Sequence, residues 1–249
     1  FKAVNSADDQ NDLATCTIRS ASSITNDEEL KAKSHFLDNI LLSPSKIGRY
    51  EYDRDSSGYI SAIYYCENPY ESNRTTDVNG IAGIKYTRDS LHRVTSLQYI
   101  DLQGKPKSDG YGVVCRNYTY DPQGHLAVSE YYNGNGELQY NELGWAKAIV
   151  EYDMNGYPVK QSQYGKDGKH CTAILGESIV KYEWGDSSMK ISYYDENEVP
   201  ILISGSASTP GGYHSMIQRF DQNGDIVRIE CYDMDSMLCY NNFHWAISK

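Results

Sequence analysis

One unit recurs along the chain from about residue 49 to its end, and this repeat limits the possible folds more than any other feature. Each unit opens on an acid that follows an aromatic residue or, in one copy, an arginine. The pairs are Tyr52-Asp53, Arg88-Asp89, Tyr120-Asp121, Tyr152-Asp153, Tyr182-Glu183 and Phe220-Asp221. Successive acids are 36, 32, 32, 30 and 38 residues apart. Repeats of this length stack as units that bury a core only against their neighbours.

A second anchor, a tyrosine-rich triplet, ends twelve residues after the acid in five of the six units. The triplets are Tyr99-Ile100-Asp101, Tyr131-Tyr132-Asn133, Gln163-Tyr164-Gly165, Tyr193-Tyr194-Asp195 and Cys231-Tyr232-Asp233. In the first unit the corresponding Tyr65-Cys66-Glu67 comes two residues later, which predicts a two-residue insertion there.

Turn-forming residues separate the anchors, with Asp at the start and Gly at the close, as in Asp121-Pro-Gln-Gly124. An Asp side chain accepts hydrogen bonds from the backbone two residues ahead, and Gly tolerates positive φ. Between the turns, apolar and polar residues alternate with period two, which is typical of half-buried strands. The sequence therefore predicts an all-β fold, a curled antiparallel meander of about six three-strand units.

Tyrosine is strongly over-represented, with 23 Tyr against 4 Phe and 3 Trp. In the predicted sheet the tyrosines form columns in which each ring covers its neighbour and the hydroxyl reaches water or a backbone partner. The repeat therefore accounts for the excess without any ligand.

The segment before the repeats has a different pattern. Residues 1–24 are polar and predict an irregular N-terminus, whereas residues 25–48 predict a helical cap. Thr25-Asn-Asp-Glu28 is a capping box, Leu37 and Leu41 belong to an apolar stripe, and Pro44 ends the helix. We expect this helix to cover an open end of a repeat domain that spans residues 49–249.

Charge and cysteine usage exclude several classes of protein. Lys and Arg number 23 and Asp and Glu 34, and this net charge of −11 argues against nucleic-acid binding. No apolar run approaches the roughly 18 residues of a membrane helix. The six cysteines contain no CxxC pair and favour free thiols, although an oxidising compartment permits disulfides. The polar, Asn- and Ser-rich composition predicts an exported bacterial protein at the cell surface, in the periplasm or secreted.

At the turn and aromatic positions of residues 49–249 the chain resembles a known family. The Tyr-Asp-x-x-Gly hairpins at residues 120–124 and 152–156 resemble the YD repeats of Rhs-type bacterial surface and toxin-carrier proteins. The Glu-Tyr-Tyr-Asn-Gly stretch at residues 130–134 is also similar to variant MORN-type repeats. The resemblance implies an exported β-sheet shell. The unit is longer here, so we do not extend the resemblance to toxin delivery.

One loop matches part of a calcium-binding motif. Asp53, Asp55 and Ser57 have the spacing of the first oxygen ligands of an EF-hand loop, and Gly58 stands at its sixth position. Tyr64 replaces the bidentate Glu that closes such a loop, and the flanks predict strands. A calcium site and a plain acidic turn both remain open.

Two classes of function are consistent with the repeat. In the first, a non-enzymatic exported scaffold or recognition module binds carbohydrate or another surface protein through exposed aromatic residues. The candidate residues are Tyr132, Tyr164, Tyr194, Tyr232, Trp145 and Trp245. In the second, a glycan-active hydrolase uses a carboxylate pair from Asp101, Asp195, Asp233 and Glu230. Residues repeated in every unit usually serve the unit, so the sequence favours the first class.

Overall fold

The computed structural model describes residues 47–67, 73–203 and 212–239 and the backbone of residues 247–248. Within these ranges thirteen strands form one antiparallel sheet, in which each strand pairs with the next along the chain. The strands are β1 (Arg49–Arg54), β2 (Ile60–Cys66), β3 (Gly83–Arg88), β4 (Val94–Ile100), β5 (Cys115–Tyr120), β6 (Leu126–Tyr132), β7 (Lys147–Tyr152), β8 (Pro158–Tyr164), β9 (Ile179–Gly185), β10 (Ser188–Tyr194), β11 (Ser215–Phe220), β12 (Ile226–Tyr232) and β13 (Ile247–Ser248). The sheet is open, with β1 and β13 at its edges. The predicted all-β antiparallel meander is confirmed.

Two predictions about the N-terminal region fall outside this description. Residues 1–24 and all but the last two residues of the predicted 25–48 cap lie outside the described residues. In the part of the chain that is described, no helix has the length and apolar character needed to cross a membrane.

Each unit contributes two long strands, and its third strand is reduced to a single residue pair. In the third unit, β5 and β6 are followed by residues 133–146, which make one isolated bridge between Tyr132 and Leu138. Equivalent bridges join Ile100 with Pro106, Tyr164 with His170, Tyr194 with Pro200 and Tyr232 with Leu238. The ladder stops there because two turns, at residues 133–137 and 141–145, lie close together in the sequence.

In almost every turn, the side chain of the first residue accepts the hydrogen bonds that close the turn. Oδ1 of Asp153 accepts the N–H groups of Asn155 and Tyr157 at 2.8 and 2.9 Å, and Gly156 takes a φ of 83°. The same pair of bonds occurs at Asp55, Asp77, Asp89, Asp101, Asp109, Asn133, Asn141, Asp195, Asp221 and Asp233. Most of the repeated acids are therefore turn-closing groups, as their spacing predicted; Asp53 and Glu183 are the exceptions.

In the first unit the turn begins at Asp55 rather than at Asp53. Asp53 lies within β1 and pairs with Ala62. Arg54 donates to the carbonyl of Gly58 at 2.7 Å, just as Arg88 donates to the carbonyl of His92 at 2.9 Å. Arg54-Asp55 is therefore the equivalent of Arg88-Asp89, and the predicted two-residue insertion is wrong.

The fifth unit also differs from the prediction made from the repeat pattern. Tyr182 and Glu183 lie inside β9, and the hairpin to β10 turns at Asp186 and Ser187 alone. Trp184 consequently takes the position that Tyr152 holds in the fourth unit, since each bonds the carbonyl that lies 26 residues earlier.

In four units a side chain close to the first turn ties the unit to the one before it. The Tyr120 hydroxyl donates to the Val94 carbonyl at 2.7 Å, and the Tyr152 hydroxyl to the Leu126 carbonyl at 2.8 Å. Arg88 bonds Ile60 O at 3.0 Å and Trp184 bonds Pro158 O at 2.7 Å in the same way. Each acceptor is the first residue of the second strand of the preceding unit. Four units therefore place a long side chain with a hydrogen-bond donor here, whereas the last unit has Phe220, whose backbone N–H donates to the Ser187 carbonyl at 2.9 Å.

The core lies between one face of the sheet and the connecting segments, defined as residues 73–82, 101–114, 133–146 and 165–178. The segments contribute Ile81, Val113, Trp145 and Ala173 to a buried cluster. The strands contribute Tyr65, Ile84, Val94, Leu97, Tyr99, Tyr118, Leu126, Tyr131 and Ala148 to the same cluster. We call this side of the sheet the core face. Alternation along the strands places the other side chains on the opposite face.

We predict that Tyr152→Phe lowers the free energy of unfolding by about 1 kcal/mol, because it removes the inter-unit hydrogen bond and keeps the ring. Urea unfolding followed by circular dichroism measures the change. Tyr111→Phe is the matched control, since Tyr111 is more than half exposed in a turn, and we expect it to leave the unfolding midpoint unchanged. Equal effects of the two substitutions would contradict a stabilising role for the hydrogen bond between units.

Candidate binding face

The opposite side of the sheet, here called the polar face, carries rows of hydrogen-bonding side chains that run across the strands. One row consists of Lys85, Gln98, Cys115 and Tyr132, which are successive cross-strand partners from β3 to β6. The next row consists of Thr87, Ser96, Asn117, Glu130, Lys147 and Tyr164. Side chains that meet in this way across a sheet are close enough to act together on one ligand.

Four of the predicted ligand-binding tyrosines lie on this face, each at the end of a strand and each half-buried. They are Tyr132, Tyr164, Tyr194 and Tyr232. The Tyr132 hydroxyl donates to Glu130 at 2.8 Å, the His170 ring lies 4.4 Å from the ring of Tyr164, and Lys181 Nζ is 4.5 Å from the centre of Tyr194. Contacts with neighbouring residues thus occupy part of three of these side chains. Ligand binding by the column stays a prediction.

The two predicted tryptophans do not extend this column. Trp145 points into the core face, where only 4% of it is exposed and its ring meets Tyr131 edge-on at 5.0 Å. Its burial leaves no ring surface on which a sugar could stack. Trp245 lies outside the described residues.

A shallow groove of about 390 Å³ opens on the polar face over β1 to β4. Asp53, Tyr64, Lys85 and Gln98 line it, with Ser61, Ala62, Tyr86, Thr87 and Ser96. Tyr64 donates its hydroxyl hydrogen to Asp53 Oδ2 at 2.9 Å, and burial together with this bond raises the pKa of Tyr64. The guanidinium carbon of Arg74 lies 3.5 Å from the centre of the Tyr64 ring. The groove therefore combines a carboxylate, a lysine, an amide, hydroxyl groups and one oriented aromatic ring.

The predicted calcium loop has the geometry of an ordinary turn of this chain. Asp55 Oδ1 accepts the N–H groups of Ser57 and Tyr59 at 2.9 and 3.0 Å, as in the other turns. Asp53 lies on the strand, with its carboxylate bound to Tyr64. Among the described residues, no group of three or more His, Cys, Asp or Glu is arranged to hold a metal ion. Calcium binding at Asp53, Asp55 and Ser57 stays a prediction.

The carboxylates considered for hydrolysis have structural partners. Asp101, Asp195 and Asp233 each accept two backbone N–H groups through Oδ1. Glu230 is buried and pairs with Arg219, at 3.1 Å, and with Arg228. These bonds engage each acid in closing a turn or in an ion pair of the sheet.

Cross-strand ion pairs complete the polar face. Glu130 bonds Lys147 at 3.0 Å, and Glu198 bonds both Lys160 and Lys181 at 2.6 Å. Glu198 stands in a turn at a φ of 60°, at the position where the second and third units have Gly104 and Gly136. Hydrogen bonds from the two lysines and their positive charge lower the pKa of Glu198 from 4.5 to about 2.

Sequence reasoning missed several of these groups. Lys85 and Gln98 belong to no motif, and they become neighbours only through the pairing of β3 with β4. Arg116 was missed for a similar reason. It is buried on the core face, 5.0 Å from the centre of the Tyr131 ring and 4.0 Å from Glu142. The one signal in the sequence was that Arg116 occupies a strand position that the alternation assigns to the core-facing side chains.

Comparison with known proteins yields weak structural overlap. No family model and no curated protein matches the chain. A crystal structure of TcdB2-TccC3-TEV aligns with a TM-score of 0.30 and 11% identity, over 78% of this chain and 12% of that one. A Tc holotoxin pore from Photorhabdus luminescens with a mutated TccC3 aligns at 0.23 and 12% identity, over 79% of this chain and 12% of that one. The chain thus spans about an eighth of either structure. At these scores the overlap does not establish a shared fold, and the description as a β-repeat protein rests on the chain's own units.

We predict that Glu198 makes unfolding depend on pH in a narrow acidic window. Because its pKa is lower in the folded state, the two ion pairs stabilise fully above the unfolded-state pKa and are lost as the pH falls from about 4.5 towards 2. Urea midpoints across this window should therefore fall more steeply for the wild type than for Glu198→Gln. Glu196→Gln, an exposed change in the same turn, should keep the wild-type slope. Parallel curves for the wild type and Glu198→Gln would contradict the assignment.

Proposed function

We propose that the chain is an exported, non-enzymatic β-repeat scaffold that recognises a glycan through its polar face. The groove over β1 to β4 is the contact site in this proposal, and the tyrosine column continues the surface across the sheet. The observation that carries the proposal is the lining of the groove by hydrogen-bonding side chains from four adjacent strands.

The chemistry of the groove suits a sugar. Sugars present hydroxyl groups that both donate and accept, and the groove offers acceptors at Asp53 and Gln98 and donors at Lys85 and Gln98. Tyr64 adds an aromatic side chain that Asp53 and Arg74 hold in place. The groove volume of about 390 Å³ is within the range of small-ligand sites.

The state of the repeated acids supports a non-enzymatic role. Their side-chain oxygens close turns, and Glu230 is held between two arginines. Export is supported by the composition and by the resemblance of the Tyr-Asp-x-x-Gly hairpins to YD repeats. Recognition of another surface protein by the same face is the competing outcome of the experiment below.

A glycan array screened with the purified chain tests the proposal, followed by titration calorimetry with the glycan that binds. We expect Gln98→Ala and Lys85→Ala to weaken binding about five-fold each, since each removes a hydrogen bond worth about 1 kcal/mol. Tyr164→Ala tests the tyrosine column separately.

Met154→Ala is the matched control, because Met154 is 97% exposed at a turn tip in another unit, and its affinity should equal that of the wild type. Circular dichroism confirms that each variant is folded. The absence of glycan binding, or binding that the groove variants leave unchanged, would contradict the proposal. Release of reducing sugar from a bound glycan would instead support the hydrolase.

A further inference from the structure

Two cysteines face each other in the last unit. Tyr232 and Leu238 form its isolated bridge, and Cys231 and Cys239 are the next pair outwards. The Cys239 N–H donates to the Cys231 carbonyl at 2.9 Å. Residues opposed in an antiparallel ladder have side chains on the same face. Cys231 and Cys239 therefore project to the same side, the core face, where Cys231 pairs with Met216 and is buried.

The same backbone bond occurs in every other unit, but with different side chains. It joins Thr75 to Tyr65, Lys107 to Tyr99, Gln139 to Tyr131, Cys171 to Gln163 and Ile201 to Tyr193. A tyrosine thus fills the buried position in four of these five units. The opposite position varies from unit to unit. In the last unit Cys231 replaces the tyrosine, and only there, among the described residues, does one cysteine oppose another.

The geometry of the position suits a covalent link. Directly opposed residues of an antiparallel pair have Cα atoms roughly 4.5 to 5.5 Å apart, and this separation lies within the range found for disulfides. The link would join the two arms of the short connecting segment. Both thiols are free in the structure.

We propose that Cys231 and Cys239 form an intramolecular disulfide in an oxidising compartment and that this bond stabilises the end of the sheet. The prediction of free thiols made from the sequence would then fail for this pair. The proposal depends on the backbone pairing and is independent of the proposed glycan function.

A small disulfide such as oxidised glutathione supplies the oxidant. Cys239 is the more accessible thiol, since Cys231 is almost completely buried. The Cys239 thiolate attacks one glutathione sulfur, forming a mixed disulfide and releasing one glutathione thiolate, which takes up a proton. The Cys231 thiolate then attacks the Cys239 sulfur and releases the second glutathione. The two cysteines lose two electrons and two protons, and the glutathione disulfide gains them.

The pKa values of the two thiols are consistent with this order. Burial, followed by the neighbouring Cys239, raises the pKa of Cys231 to about 11. The pKa of Cys239 is also raised, by burial and by Asp233. Neither thiol is activated for other chemistry, and proximity favours the second step once the mixed disulfide has formed.

The end of the sheet is where such a bond has the greatest effect. β12 pairs on its outer side with β13, which has only two residues. Terminal units of a repeat array have one neighbour and open most easily. A disulfide that closes the short segment from Cys231 to Cys239 restricts this opening by limiting the unfolded chain.

Peptide mapping tests the link directly. The folded full-length chain is treated with oxidised glutathione, its remaining thiols are alkylated, and it is cleaved before aspartate. Asp233 and Asp235 lie between the two cysteines, so the cysteines fall on separate peptides that stay joined only by a disulfide. We expect one joined pair that a reductant separates, and a thermal midpoint roughly 5 °C above that of the reduced protein.

Cys171→Ser is the matched control, because Cys171 occupies the position of Cys239 but faces Gln163. It should keep both the joined peptides and the rise in midpoint, whereas Cys239→Ser should lose both. As a positive test, Gln163→Cys should add a second joined pair with Cys171. Complete alkylation of Cys231 and Cys239 after oxidation, or their linkage to other cysteines, would overturn the proposal. A joined pair without a rise in midpoint would overturn its stabilising role.

Discussion

The side-chain oxygen at the start of almost every turn is the interaction on which this sheet depends. A full unit packs three turns into about 32 residues, and every turn leaves backbone N–H groups without a ladder partner. One Asp or Asn oxygen accepts two of them, as at Asp153, so the turn is stable without neighbouring units. The turn also sets the register of the strands. Because a shift of one residue would exchange the core and polar faces, this local chemistry determines which side of the sheet is buried.

Hydrogen bonds between units restrict how each unit can be arranged on the preceding one. Arg88, Tyr120, Tyr152 and Trp184 have little in common except length and a donor at the tip, and each reaches the first residue of the second strand of the preceding unit. A hydrophobic contact at this position would accept several arrangements of the next unit. A donor that must meet one particular carbonyl allows few arrangements of the next unit. At Tyr120 and Tyr152 the hydroxyl group makes this bond, which a phenylalanine ring could not; the last unit, with Phe220, uses a backbone N–H bond to Ser187 instead.

Local patterns predicted the strands and turns well, and they failed where a short motif matched in the wrong place. Tyr52-Asp53 fits the aromatic and acid pattern better than Arg54-Asp55, yet the lengths of β1 and β2 assign the turn to Asp55. Tyr182-Glu183 also fits the pattern, but it lies inside β9 and does not begin a turn. Strand length is set by pairing with both neighbours, and a pair of residues does not contain that information.

The candidate site was harder to predict than the fold because its residues come from separate elements. Tyr132 and Tyr164 could be placed on one face from the alternation of a single strand. The groove needs Asp53 from β1 beside Lys85 from β3 and Gln98 from β4. Arg116 needs Tyr99 and Tyr131 on either side of it and Glu142 from a connecting segment. Because Arg116 is charged, any prediction from the sequence alone would place its side chain on the surface.

Comparison of equivalent positions within the chain separates the requirements of the fold from other requirements. Where most units agree, as at the turn acids, the fold explains the residue. Where one unit departs at two touching positions together, the pair itself has a role. Gln163 and Glu177 replace the contact of Tyr131 with Trp145 by a polar contact of 3.5 Å, and burial raises the pKa of Glu177. A buried polar pair in an aromatic column costs stability unless both partners change together. Cys231 of the last unit follows the same rule, since a small side chain stands where four other units have a tyrosine and a second cysteine, Cys239, faces it.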